Sequence, residues 1–206
     1  MKKQKVLLIG WDAADWKVIN PLMDAGKMPA LEKLVNRGVI GNIATLDPPL
    51  SPMLWTSIAT GMRADKHGIL GFAEPVPNVG GVRPINVTSR KVHAIWNILN
   101  SKGLKSNVVS WWPSHPAEPI DGVVVSNFYK TAGKPYGKPW PMQKGTIHPE
   151  EMIKTLKKYR VHPGELTAAH ILPFVPNAAD IDQDKDKRLS SVAKITADAA
   201  SVQASA

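Results

Sequence analysis

Residues 48–72 read PPLSPMLWTSIATGMRADKHGILGF, and this stretch decides how the rest of the chain is interpreted. Ser51 lies just after two prolines and just before a third, and a largely apolar run extends from it to Thr60. The pattern predicts a helix over 51–60. A hydroxyl at a helix start lies among unpaired N–H groups at the positive end of the helix dipole, where it suits phosphate binding. The alternative is an ordinary Ser-Pro N-cap.

Composition limits the class of protein. The chain has 206 residues, 43% hydrophobic content, a formal net charge of +9 and no cysteine. This length and hydrophobicity allow one large packed domain, and the lack of cysteine excludes disulfides and thiolate metal sites. The charge favours anionic partners, but the basic residues are scattered, so a nucleic-acid partner is not favoured. No run is long enough for a signal sequence or a membrane span, and we expect a cytoplasmic protein of undefined oligomeric state.

Short apolar runs alternate with helical patterns along the chain. The runs KVLLIG (5–10) and VIGNIAT (39–45) predict buried strands. An α/β fold is therefore expected, with a mostly parallel sheet flanked by helices on both faces. Irregular insertions rich in proline and glycine are expected near 73–88 and 129–147. Two further strands are predicted at 106–111 and 122–128, and further helices at 148–159, at 189–206 and after a cap at Ser89.

The helix pattern between the first two predicted strands has clear boundaries. Apolar spacing predicts a helix from Trp16 to Met23, with Asp15 as its N-cap and Pro21 kinking or splitting it. Pro29 suits the first turn of the next helix, and Gly38 suits its end.

Asp12 lies just past the first predicted strand, where open α/β sheets place their ligand sites. A carboxylate there can be a metal ligand, a general base or an N-cap, and Asp15 is the better candidate for the cap. Ser51 would need activation to act as a nucleophile, and no His-Asp pair has the spacing of a nucleophile elbow. A divalent metal shared by Asp12 and Ser51 would supply that activation.

The stretches VLLIGWDAADW, PPLSPMLWTSIATG and KHGILGF together resemble the N-terminal half of the alkaline phosphatase superfamily, in its type I phosphodiesterase and nucleotide pyrophosphatase branch. The resemblance is strong over 5–72 and elsewhere extends only to the alternation of strands and helices. It implies a metal-dependent phosphoric ester hydrolase acting on a small-molecule phosphate ester. Ser51 is then the nucleophile that forms a covalent phosphoserine, later cleaved by metal-bound hydroxide. Asp12 and Ser51 are implied ligands in a site of two divalent metals, with zinc expected.

The resemblance also assigns structural roles after the nucleophile. Thr60, Gly61, His67 and Gly68 match motif residues whose expected role is to turn the chain and support the following loop, with metal ligation by His67 as the alternative. Leu54 replaces the asparagine that helps to hold the phosphoryl oxygen in nucleotide pyrophosphatases. Nucleotide specificity is therefore not implied.

The remaining ligands of a two-metal site are not recognisable in the sequence. The family uses an Asp-His pair and further His and Asp ligands, whereas this chain contains no Asp-His dipeptide. We therefore expect residues 1–206 to be the N-terminal portion of one alkaline phosphatase-like domain, with the other ligands beyond residue 206. The isolated chain is expected to be inactive.

Several alternatives remain open on the sequence alone. The chain could be a truncated or degenerate domain that binds phosphorylated ligands, or a monoesterase, sulfatase or phosphomutase of the same superfamily. A calcium-loop pattern begins at Asp182, but Lys187 and Ala193 replace its essential glycine and glutamate, which favours a solvated turn. The tryptophans of SWWPSHP and KPWPM favour packing over ligand binding.

Overall fold

The structure is a computed structural model, and it describes residues 5–177, 180–182 and 187–206. The chain divides into two compact units, one extending to Ala44 and the other beginning at Thr45. The organisation of residues 1–206 as part of one larger domain stays a prediction.

The first unit contains two helices at the predicted places. Helix α1 spans Trp16–Asp24 and helix α2 spans Pro29–Arg37. The Asp15 carboxylate accepts a hydrogen bond from the Lys17 N–H at 2.8 Å, which confirms Asp15 as the N-cap. Pro21 lies inside α1 without splitting it, and Gly38 ends α2 as predicted.

The prediction of buried strands at 5–10 and 39–45 is wrong for this structure. Residues 5–10 and 39–45 have no strand assignment, and their apolar side chains are solvent-exposed, with Val6 at 90% and Val39 at 99%. A strand needs a hydrogen-bonded neighbour, and the described residues of this unit contain no strand that could pair with them. The apolar pattern is present, but the pairing that would make it a sheet is not.

The second unit contains two small sheets. Strands β1 (Ala73–Pro75) and β2 (Val82–Pro84) form an antiparallel hairpin inside the predicted insertion at 73–88. Strands β3 (Val108–Val109), β4 (Val124–Val125) and β5 (Ile147–His148) form a three-stranded sheet in that order. β3 and β4 are parallel, and β4 and β5 are antiparallel. The fold is therefore mixed α/β, and the described residues do not form the mostly parallel sheet expected from the sequence.

Two predicted helices of the second unit are confirmed, and two other helix predictions are wrong in part. The 51–60 and C-terminal helices are present, whereas Ser89 does not cap a helix and instead ends a 3₁₀ turn at Val87–Ser89. The helix predicted over 148–159 is an α-helical turn between two 3₁₀ turns. None of the helices in the described ranges is long and apolar enough to cross a membrane. The α-helices are α3 (Ser51–Thr60), α4 (Ala64–His67), α5 (Ile95–Ser101), α6 (Ile153–Leu156), α7 (Ala168–Ile171) and α8 (Arg188–Ser205).

The main core of the second unit holds α3 against the larger sheet. Ala59 of α3 is buried with Trp96 of α5 and with Val108 and Val124 of the parallel strand pair. Trp111 packs on this cluster, and its indole N–H donates to the Trp55 carbonyl of α3 at 3.0 Å. A packing role was predicted for the tryptophans of SWWPSHP, and it is confirmed for Trp111. The rigid helix fixes the place of Ser51 at its first turn.

Candidate active site

Ser51 is the first residue of α3, and Leu50 precedes it as the N-cap residue. Leu50 has extended backbone angles, with φ −86° and ψ 120°, and its N–H donates to the Pro48 carbonyl at 2.8 Å. Amides in the first turn have no acceptor within the helix, and Pro52 has no N–H. The N–H groups of Ser51 and Met53 therefore lie unpaired at the positive end of the helix dipole.

The hydroxyl of Ser51 is not used to cap the helix. α3 has no side-chain cap, and the hydrogen bonds found in the described part of the chain include none made by Ser51 Oγ. Thr56 and Ser57 differ, because their hydroxyls donate to the carbonyls of Pro52 and Met53 at 2.7 and 2.8 Å. The N-cap alternative for Ser51 is therefore wrong, and its half-buried hydroxyl is available for other contacts.

An open pocket of about 240 Å³ lies beside the first turn of α3. Met53 brings the start of the helix to the pocket, and Arg63 brings a cation from the loop before α4. Lys66 does not line this pocket and lies 3.3 Å from Asp65 in an exposed ion pair. Nothing in the sequence selects Asp47 as a site residue, because only the fold brings it to the pocket that Arg63 also lines. The lining residues are Leu46, Asp47, Met53, Arg63, Ala64 and Asp65.

His67 is a fully buried support for this region. Its Nδ1 accepts a hydrogen bond from the Ile69 N–H at 3.1 Å, so Nδ1 carries no proton. Its Nε2 must then be the donor to Ser57 Oγ at 3.0 Å, and that hydroxyl donates onward to the Met53 carbonyl. Burial lowers the pKa of His67, which favours this neutral form. Both ring nitrogens are engaged, so the supporting role is confirmed and metal ligation by His67 is wrong.

The glycines after the helix make the predicted turns. Gly61 follows α3 with φ +67°, and Gly68 follows α4 with φ +81°. Both are left-handed conformations that favour glycine at a helix end. Thr60 accepts a hydrogen bond from the Met62 N–H at 3.2 Å, which tightens the first of these turns. The turn at Gly61 leads directly to Arg63, which lines the pocket.

Asp12 belongs to the first unit. It is an exposed residue in a turn ahead of α1, next to Ala13, whose φ is +56°. Asp15 supplies the helix cap, so the carboxylate of Asp12 is not needed for that role. Its participation in a site with Ser51 stays a prediction.

The described residues do not assemble a metal centre by themselves. They contain no group of three His, Asp or Glu side chains placed to hold an ion. Asp12 and Ser51 offer hard oxygen donors of a suitable kind, but they do not complete a site. His115 lies 3.2 Å from Ser126 Oγ and stacks on Phe128, and burial lowers its pKa. In the calcium-like pattern, Asp184 and Asp186 lie outside the described residues.

The family model described as type I phosphodiesterase / nucleotide pyrophosphatase matches residues 6–195. The chain belongs to this family. Its members are hydrolases and are generally metal-dependent. No curated protein and no solved structure matches the chain significantly. The matched range includes both Asp12 and the α3 segment that begins at Ser51. The similarity to the type I phosphodiesterase family therefore extends over both residues that the sequence selected as site candidates.

Proposed function

We propose that the protein is a metal-dependent phosphodiesterase or pyrophosphatase in which Ser51 is the nucleophile. The substrate is a small-molecule phosphate ester, and the intermediate is a covalent phosphoserine. Family membership supports the class of reaction. The choice of Ser51 as the nucleophile rests on one observation, which is its free hydroxyl at the first residue of α3.

The start of α3 suits the developing charge of a phosphoryl transfer. The unpaired N–H groups of Ser51 and Met53 and the dipole of a ten-residue helix favour an anion there. Arg63 in the adjoining pocket adds a positive charge, whereas Asp47 and Asp65 oppose a second negative group. This balance favours a diester over a more highly charged monoester.

The chemistry has two displacement steps. Ser51 Oγ loses its proton and bonds to phosphorus, while the bond from phosphorus to the leaving oxygen breaks and that oxygen takes a proton. Water then adds to phosphorus, the Ser51 Oγ–P bond breaks, and Oγ regains a proton. His67 is not the base, because its Nδ1 accepts from Ile69 and its Nε2 donates to Ser57.

Two divalent metals, with zinc as the expected ion, complete the proposal. Metal ions at such a site stabilise the attacking and leaving oxygens. Asp12 would offer one carboxylate and Ser51 its hydroxyl oxygen. Because the described residues contain no three-ligand group, the proposal assigns only these two donors to this chain.

The test is hydrolysis of bis(p-nitrophenyl) phosphate by the full-length protein with added zinc. Ser51→Ala should lower kcat at least about 1,000-fold, because the covalent step is lost. The control is Ser101→Ala, which removes an exposed hydroxyl at the end of α5 and should leave kcat within twofold. Equal activity of Ser51→Ala and wild type would refute the assignment.

A second candidate function is phosphate binding without turnover. The lack of a three-ligand group among the described residues favours it, and the cation of Arg63 beside α3 would supply the recognition. Binding of inorganic phosphate in the presence of EDTA, lost in Arg63→Gln and accompanied by no hydrolysis with zinc, would support this alternative. Parallel assays with an aryl phosphate and an aryl sulfate distinguish the monoesterase and sulfatase members of the superfamily.

A further inference from the structure

The open pocket beside α3 contains one cation and one anion without a partner. Arg63 and Asp47 both line it, and neither side chain makes a hydrogen bond or an ion pair in the part of the chain that the structure describes. The other acid of the pocket wall, Asp65, lies 3.3 Å from the ammonium of Lys66. The charge of Asp65 is therefore partly offset, whereas those of Arg63 and Asp47 are available to a ligand.

The backbone that carries Arg63 is fixed beside α3. The Arg63 carbonyl accepts hydrogen bonds from the Lys66 and His67 N–H groups at 2.9 and 3.0 Å. His67 is fully buried and lies 3.0 Å from Ser57 Oγ of α3. The main chain at Arg63 therefore has a defined place next to the helix, and its exposed side chain can turn toward a ligand.

The rest of the pocket wall is apolar, and the pocket is small. Leu46, Met53 and Ala64 line it together with the charged residues. Met53 is the third residue of α3, about 3 Å along the helix axis from Ser51. Sites for drug-sized ligands have volumes of about 300–1,000 Å³. The volume of about 240 Å³ therefore suits a short alkyl chain with one polar end better than a nucleoside.

A ligand that uses both free charges carries an anion and a cation a short distance apart. One phosphodiester group supplies the anion, which suits Arg63 and the start of α3. The cation is then an ammonium that Asp47 binds. Quaternary ammonium groups are recognised by aromatic side chains, and none of the six described residues that line this pocket is aromatic. A primary ammonium fits better, because it donates hydrogen bonds to a carboxylate.

We propose that the preferred substrate is a phosphodiester in which one ester group is a short aminoalkyl chain. Asp47 binds its primary ammonium, and Arg63 binds a phosphoryl oxygen. The substrate class rests on the proposed function, whereas the contact between Asp47 and an ammonium is testable by binding alone. The ammonium does not react. The bond from phosphorus to the leaving ester oxygen breaks, and that oxygen takes a proton.

The first test compares two chromogenic diesters with the full-length protein and zinc. p-Nitrophenyl 2-aminoethyl phosphate and p-nitrophenyl propyl phosphate release the same p-nitrophenol and differ by an ammonium in place of a methyl group. The wild type should favour the aminoethyl ester about fivefold in kcat/KM, as expected for a well-placed but exposed charge pair. Asp47→Asn should reduce this ratio below about twofold. The control is Asp121→Asn, in an exposed ion pair with Lys105, and it should leave the ratio unchanged.

Two results of this comparison would overturn the ammonium site while the hydrolase assignment stands. One is hydrolysis of both esters with equal kcat/KM, and the other is a preference that Asp47→Asn leaves intact. The trimethylammonium ester, p-nitrophenyl phosphorylcholine, separates the two kinds of cation. Its hydrolysis with a higher kcat/KM than that of the aminoethyl ester would refute the choice of a primary ammonium.

A binding measurement separates the pocket from the activity. Titration calorimetry in EDTA compares 2-aminoethyl phosphate with propyl phosphate, which carries the same phosphate group. Tighter binding of the aminoethyl compound that is lost in Asp47→Asn would support the ammonium site, even in a protein that hydrolyses neither diester and so refutes the proposed function. Equal binding of the two ligands would overturn the ammonium site in an active or an inactive protein.

Aminoalkyl phosphodiesters occur both as soluble molecules and as lipid headgroups, and a last comparison distinguishes these sources. ³¹P NMR follows the hydrolysis of glycerophosphoethanolamine and of phosphatidylethanolamine in phosphatidylcholine vesicles. Hydrolysis of the first compound alone identifies a soluble substrate, and hydrolysis of the second identifies a lipid headgroup. Hydrolysis of neither, by protein that hydrolyses bis(p-nitrophenyl) phosphate, would refute the substrate class and leave the hydrolase assignment intact.

Discussion

Replacing His67 with phenylalanine tests the support beneath α3. Phenylalanine has a ring of similar size but cannot accept from the Ile69 N–H or donate to Ser57 Oγ. Ile69 and His67 are both fully buried, so water cannot replace the lost acceptor. The Ser57 hydroxyl keeps its bond to the Met53 carbonyl. The variant therefore loses one interaction and leaves one buried N–H unsatisfied.

The expected cost follows from these two losses. A buried donor without a partner costs about 1–3 kcal/mol, and a lost hydrogen bond contributes about 1 kcal/mol more. The free energy of unfolding should therefore fall by about 2–4 kcal/mol at pH 8. The cost should shrink in acid. Because the folded-state pKa of His67 is lowered from 6.5, the unfolded chain binds more protons than the folded one below that pH. His67 thus contributes stability above pH 6.5 that is lost as the pH falls, by up to about 1.4 kcal/mol per pH unit.

Urea unfolding followed by tryptophan fluorescence measures this difference at pH 8, 6 and 5. The gap between wild type and His67→Phe should be largest at pH 8 and should narrow toward pH 5. His93→Gln, at an exposed histidine, is the control and should stay within about 0.5 kcal/mol of wild type throughout. A gap below about 0.5 kcal/mol at pH 8, or one independent of pH, would refute the tautomer and burial argument.

Substitutions at three other sites test separate contacts by the same unfolding assay, and two of them have a comparison variant. Glu118→Gln should lower the free energy of unfolding by about 2–3 kcal/mol, because it leaves the buried Arg90 guanidinium without its carboxylate. Glu74→Gln removes the carboxylate of an exposed pair and should cost under about 1 kcal/mol. Similar costs for the two variants would contradict the difference in burial. Gly122→Ala should cost more than about 2 kcal/mol, since its Cβ would overlap the Ser106 carbonyl oxygen at φ +142°. Gly103→Ala, at φ +70° in open space, should cost only about 1 kcal/mol, and the reverse order would contradict the geometry. Ser51→Ala should change the free energy of unfolding by less than about 0.5 kcal/mol, and a loss of about 1 kcal/mol or more would restore the N-cap interpretation.

Local signals predicted the helices well. Asp15, Pro29 and Ser51 mark helix starts through effects that act within one turn, and each helix begins at or next to the predicted residue. The apolar strand patterns were less informative, because a strand depends on a partner elsewhere in the chain. The runs at 106–111 and 122–128 contain β3 and β4, which pair, whereas those at 5–10 and 39–45 have no paired strand in the described structure.

The same distinction applies to the candidate site. The place of Ser51 at a helix start was predictable, because proline and the apolar run determine it locally. The pocket wall formed by Asp47 and Arg63 was not predictable, since these residues lie on opposite sides of α3 in the chain and meet only after the turn at Gly61. The role of His67 was expected, but its protonated nitrogen became clear only from the contacts with Ile69 and Ser57.

The proposed mechanism requires Ser51 to carry the phosphoryl group during turnover. The most direct measurement is acid quenching of the full-length protein during hydrolysis of bis(p-nitrophenyl) phosphate, followed by peptide mass spectrometry. Attack on this diester releases one p-nitrophenol and leaves the other on phosphorus, so a p-nitrophenyl phosphoryl adduct should appear on Ser51, be absent from Ser51→Ala and be unchanged in Ser101→Ala. Turnover with no adduct on Ser51, or with an adduct on another residue, would contradict it.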